Sequence, residues 1–236
     1  MSEFDYIADS LNLNRRFFGR RKSKALPSTQ QSLYDKALQE IFFEPHHALN
    51  IQDLFPETPL NPIILEIGFG GGEHLLHQAQ ANPHINYLGI DAYVNSVSKA
   101  VRNIYQNNLK NIRLSDQDAY GFIKNFPKNS LDGIYLLYPD PWPKKKYRNR
   151  RFMQRDTAQT IEKILKPDGF FRFATDIPVY AEWTIASLIN ATKAYLDIDR
   201  SLTLDTPLEN WTSTRYEQKA LREGRTPAYY QFLFAQ

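Results

Sequence analysis

Between Ile63 and Ala174 the apolar residues fall into two alternating rhythms. Short continuous runs at Ile63–Ile67, Tyr87–Ile90, Ile112–Leu114, Leu131–Tyr138 and Phe170–Ala174 have the length and the β-branched and aromatic content of buried strands. The stretches between them space their apolar residues helically and predict helices over 73–80, 94–106, 120–125 and 153–165, with another over 180–190. "KPDG" at 166–169 reads as a turn into the fifth strand. Alternation of this kind with short links predicts an α/β fold, a parallel sheet covered by helices on both faces. Ahead of it, Leu33, Ala37, Leu38 and Ile41 predict an amphipathic helix over 30–42, and Pro56, Pro59 and Pro62 punctuate the link. Segments at 195–198 and 229–234 predict an antiparallel pair. The expected organisation is a basic extension, 1–60, mobile over its first 24 residues and carrying one amphipathic helix, followed by one domain, 61–236.

Composition adds bounds. A chain of 236 residues that is 42% hydrophobic can bury a core of this size. Without cysteine it has neither disulfides nor a thiolate zinc site, which fits a cytoplasmic protein. No run is long enough to span a membrane, and no signal peptide is read at the start. His74 and His77 stand at helical i, i+3 spacing, but no third ligand is evident, so no metal is expected. The net charge of +3 hides two clusters. One holds Arg15, Arg16, Arg20, Arg21, Lys22 and Lys24; the other holds Lys144, Lys145, Lys146, Arg148, Arg150, Arg151 and Arg155. A tail and a solvated loop could each carry one cluster, but two together favour a nucleic-acid partner.

Candidate chemistry gathers at the ends of the strands. In "ILEIGFGGGEHLL" the glycines Gly68, Gly70 and Gly72 form a tight turn that lets a ligand approach the backbone. Glu73 stands where a dinucleotide fingerprint has its last glycine. Glu66 ends the first strand, Asp91 closes the second, and Asp118 follows the third in "SDQDAY", where Asp116 competes for the same role. Asp91 and Asp118 could equally be helix caps. Carboxylates lining one crevice repel a pyrophosphate and suit a cationic nucleoside such as S-adenosylmethionine. The fourth strand delivers "YPDPWP" to the same crevice, its prolines restricting the loop that bears Asp140 and Trp142.

"EIGFGGG", "LLYPDPWPKKK", "FATD" and "TRYE", in this order, resemble the bacterial tRNA (guanine-N7-)-methyltransferase family, a Rossmann-like branch of the class I methyltransferases. The resemblance covers about 63–234 and implies a mostly parallel seven-stranded sheet with an antiparallel C-terminal strand. It implies S-adenosylmethionine as donor, bound by Glu66, Gly68, Gly70, Gly72, Asp91, Asp118 and Asp140, and tRNA as substrate, methylated at a variable-loop guanine. It also implies Asp140 as the catalytic residue and Lys144, Asp176, Thr214, Arg215, Tyr216 and Glu217 as substrate contacts. Two departures stand out: the second-strand acid is commonly Glu in the family, and histidine is frequent where this chain has Tyr147 and Arg148. Two other readings are a nicotinamide-dependent oxidoreductase, opposed by Glu73 and the acidic crevice, and a non-catalytic RNA-binding module, which would not bind the donor.

Overall fold

Strand β1, Ile63–Ile67, is buried at every position, so it needs cover on both faces. The computed structural model describes residues 18–19, 21–22, 24–44, 50–197, 205–207 and 211–235, and supplies that cover. Ile63, Leu65 and Ile67 join one core cluster with Phe122, Ile161 and Tyr180. Ile64, turned the other way by the two-residue period of a strand, joins a second with Leu75, Val97 and Ile104.

The other described strands are β2 Asn86–Ile90, β3 Ile112–Ser115, β4 Leu131–Leu137, β5 Leu165–Thr175, β6 Ala194–Leu196 and β7 Ala228–Phe234. Their order in space is β3-β2-β1-β4-β5-β7-β6. The first five pair in parallel, and β7 runs antiparallel to both β5 and β6. The described helices are α1 Ser28–Glu40, α2 Glu73–Ala81, α3 Val94–Gln106, α4 Ala119–Phe122, α5 Arg155–Ile164, α6 Pro178–Ala191 and α7 Arg215–Arg222. The segment ahead of the sheet is packed into it. Phe43, Ile51 and Phe55 lie in the first cluster, Tyr34 and Ala37 lie in the second, and Phe42 bridges to Leu114.

Two local expectations are corrected. "KPDG" is not a turn ahead of β5, because the strand begins at Leu165 and the register steps from Leu131–Leu165 to Gly133–Phe170. Residues 166–169 bulge from the strand, and Lys166 Nζ is held 2.8 Å from Asp132 Oδ2. The helix expected over 120–125 is one α-turn followed by a 3-10 turn, Ile123–Asn125. A second 3-10 turn, Lys145–Arg150, occupies the basic stretch, for which no element was expected. Arg15, Arg16, Arg20 and the end of the segment at 195–198 lie outside the described residues.

Candidate active site

The strand order reverses between β1 and β4, and a crevice opens at the C-terminal ends of these strands. Its floor is the glycine turn. Gly68, Gly70 and Gly72 have φ of 73°, 56° and 82°, a left-handed region in which a side chain would be strained. Gly68 N donates to Ile90 O at 2.7 Å, tying the turn to β2. A Cβ on Gly72 would lie 3.0 Å from Ala100 Cβ, so this third glycine permits close packing of α2 on α3. Glu73 opens α2 and pairs with Lys99 of α3 at 2.7 Å.

The cleft holds about 450 Å³ and brings together Gly68, Gly70, Asp91, Asp118, Asp140 and Tyr216. Asp91 accepts from Gly70 N and Tyr93 N, both at 2.8 Å, so it braces the glycine turn while lining the cleft. Burial raises its carboxyl from the ordinary value; the two backbone donors oppose this, and the charges of Asp140 and Glu66 add to it. Asp118 caps α4 by accepting from Tyr120 N at 3.2 Å and still faces the cleft. Its competitor Asp116 accepts from Tyr34 Oη at 2.7 Å, outside the cleft.

Asp140 stands at the rim, where desolvation by the walls raises its carboxyl. Its loop is strained. Tyr138 and Trp142 have φ of 49° and 40°, and each precedes a proline, which favours extended backbone. Such conformations cost about 1–3 kcal/mol each and persist only where surrounding contacts hold them. Tyr138 N donates to Ala174 O at 2.8 Å. Arg151, only 3% exposed, donates from Nε to Pro141 O at 3.0 Å and from Nη2 to Trp142 O at 3.3 Å. The expectation that Arg151 joins the outward basic run is therefore corrected: it staples the loop from beneath. Arg150 instead lines the cleft, its guanidinium 4.9 Å from the Phe18 and Trp142 rings and 4.3 Å from Tyr147.

Other expected site residues lie off the cleft wall. Glu66 is buried with Oε2 2.7 Å from His74 Nδ1. Asp176 pairs with Arg225 Nε. Lys144 and Arg215 are exposed beyond the wall. Thr214 accepts from Glu217 N at 3.2 Å and caps α7. Glu217 is buried and accepts from Trp211 Nε1 and Tyr229 Oη, both at 2.7 Å. These two set the helix that carries Tyr216 to the cleft beside Gly70. Sequence reasoning missed Phe18, Tyr120 and Tyr138 as cleft walls; the pairing of Tyr138 with a following proline was the one available signal. Among the described residues no His, Cys, Asp and Glu group could hold a metal, and no helix is long and apolar enough to cross a membrane.

Comparison with known proteins bears on the family and the fold. The family model Methyltransf_4, described as "Putative methyltransferase", matches residues 60–229. The tRNA (guanine-N(7)-)-methyltransferase of Rhizobium etli is 42% identical over 220 residues, covering 92% of this chain and 94% of that protein. The protein of the same name from Bartonella quintana is 38% identical, covering 96% and 99%. The solved structure of the [4+2]-cyclase SpnF has a TM-score of 0.52 at 16% identity over 92% of this chain and 99% of that one, which supports the fold alone. The aminoglycoside resistance methyltransferase NpmB1 is similar in the same sense, with a TM-score of 0.50 at 15% identity over 78% and 93%. With the family model spanning most of the chain and relatives near 40% identity over nearly all of it, the chain belongs to the bacterial tRNA (guanine-N7)-methyltransferase family.

Proposed function

We propose that this enzyme transfers a methyl group from S-adenosylmethionine to N7 of a variable-loop guanine in tRNA. The observation that carries the reading is the cleft at the β1/β4 reversal, walled by Asp91, Asp118 and Asp140 and floored by glycines. Those residues fit the donor: carboxylates match a sulfonium and an ammonium, and backbone without Cβ atoms admits close approach. When bound, the donor supplies an electrophilic methyl group.

Guanine N7 presents an in-plane lone pair and carries no proton, so no general base is needed before attack. The protein has to place the base in line, exclude water and stabilise the positive charge arriving on the purine. Asp140, on the strained loop at the cleft rim, is the orienting and stabilising charge, a carboxylate that would accept from guanine N1–H or the N2 amine. Tyr216 walls the cleft from α7, and Thr214 and Glu217 contribute by fixing that helix. Lys144, Lys145, Lys146, Arg148, Arg150 and Arg215 offer cations to phosphate, joined by Arg21, Lys22 and Lys24. For Asp176 to contact the base, its pair with Arg225 must open or be shared.

Labelled methyl transfer to unmodified tRNA, followed by nucleoside analysis, tests the reading; product at any atom other than guanine N7 overturns the specificity. Asp140→Asn is expected to lower the single-turnover rate by about 10²-fold, the scale of losing one electrostatic group in a transition state. If it keeps most of the wild-type rate with saturating substrates, its charge has no catalytic role.

A further inference from the structure

Glu66 and His74 form the most deeply buried ionisable contact described, at 3% and 1% exposed, with 2.7 Å between Oε2 and Nδ1. An ionised carboxylate can only accept, so opposite a charged Glu66 the Nδ1–H tautomer of His74 donates. The two residues come from opposite sides of the glycine turn, Glu66 two positions before Gly68 and His74 two positions after Gly72. The His74 ring lies edge-on to Tyr135 at 4.8 Å and tilted against Trp211 at 5.1 Å between centroids. Trp211 in turn donates to Glu217, the buried acid that sets α7. Glu66 stands close enough to Asp91 to act on its charge. Burying a carboxylate near Asp91 is unfavourable without a hydrogen-bond donor, and His74 supplies one.

We propose that His74 is a positioning residue for the donor site: its Nδ1–H fixes Glu66 as a charged acceptor beneath the glycine turn, while its ring props the segment leading to α7. The proposal rests on the reading of the crevice as the S-adenosylmethionine site. The two tasks can be separated chemically. In His74→Asn the side-chain Nδ2 takes the place of Nδ1 and keeps the bond to Glu66, but the ring is lost. In His74→Phe the ring is kept and the bond is lost.

The test titrates S-adenosylmethionine calorimetrically into full-length variants and measures the melting temperature and the KM for tRNA. His74→Phe is expected to weaken donor binding about tenfold, as for loss of a hydrogen bond to a buried charge, with the tRNA KM within about twofold of wild type. His74→Asn is expected to bind the donor within about threefold of wild type yet melt lower, because the ring leaves a void. Should His74→Phe unfold because it strands a charge, the double variant with Glu66→Gln removes that charge. Comparing it with Glu66→Gln alone closes the cycle, and replacing His74 is then expected to cost little further affinity. Unchanged donor affinity in His74→Phe overturns the proposal. So does an equal cost of removing His74 in both Glu66 backgrounds, or affinity that merely tracks melting temperature across the variants. A wild-type protein that does not bind the donor overturns the reading of the crevice itself.

Discussion

Arg150 and Arg151 are neighbours with the same side chain and opposite placements. Arg150 faces the cleft mouth among Phe18, Trp142 and Tyr147, whereas Arg151 is buried under the proline loop, over Tyr180 and Trp183, and donates to two of the loop's carbonyls. Arg151→Ala leaves those carbonyls without their donor and is expected to cost about 1–3 kcal/mol of stability, read by denaturant unfolding. It should leave the salt dependence of tRNA binding alone. Arg150→Ala is expected to reduce the slope of log affinity against log salt by about one unit at nearly constant stability. An unchanged slope would remove Arg150 from the phosphate contacts. The sequence shows one basic run because burial of Arg151 depends on carbonyls that only the folded loop presents. Asp91, Asp118 and Asp140 were legible because strand ends at a switch point converge whatever the loop details. Glu66 was legible as an acid near the end of β1, but its burial off the cleft wall and its partner were not, since His74 meets it only across the turn.

At the scale of elements, β1 and α3 were readable residue for residue, because their apolar periods run unbroken and both ends carry a change of rhythm. The bulge at 166–169 and the 3-10 turn at Lys145–Arg150 were not, because cross-strand register and contacts with other segments decide them. "TSTRYE" shows the same limit. Thr214 and Glu217 have the spacing of a reciprocal capping box, yet only Thr214 caps, and Glu217 turns inward to Trp211 and Tyr229. The proline loop is the element in which geometry and function conflict most. Trp142→Gly relieves the positive φ but removes a cleft wall, so it is expected to hold stability within about 1 kcal/mol while turnover falls. Trp142→Phe is expected to retain more turnover; if the glycine variant is as active as wild type, the ring has no part in the site.

For the whole molecule, the acidic crevice links folding, binding and protons. Burial holds the Asp91 and Asp140 carboxyls above their ordinary values, so between those values and the raised ones the folded chain binds more protons than the unfolded chain. Their contribution to stability therefore falls as pH rises through that window. A cationic donor favours the charged forms and expels protons, so donor affinity is expected to rise with pH across the same window. Calorimetry in two buffers of different ionisation heat reads the release directly, and no release would place the carboxylates away from the donor's charge. The topology has a consequence in time. Strand β7, the last of those described along the chain, inserts beside β5 in the body of the sheet and carries Tyr229, a partner of Glu217. A nascent chain on the ribosome can pair β1 to β5 while the outer edge of β5 still lacks its neighbour. Synthesis thus delivers the strand-end walls of the cleft early and the α7 wall late, and a growing chain gains a settled cleft only when β7 arrives.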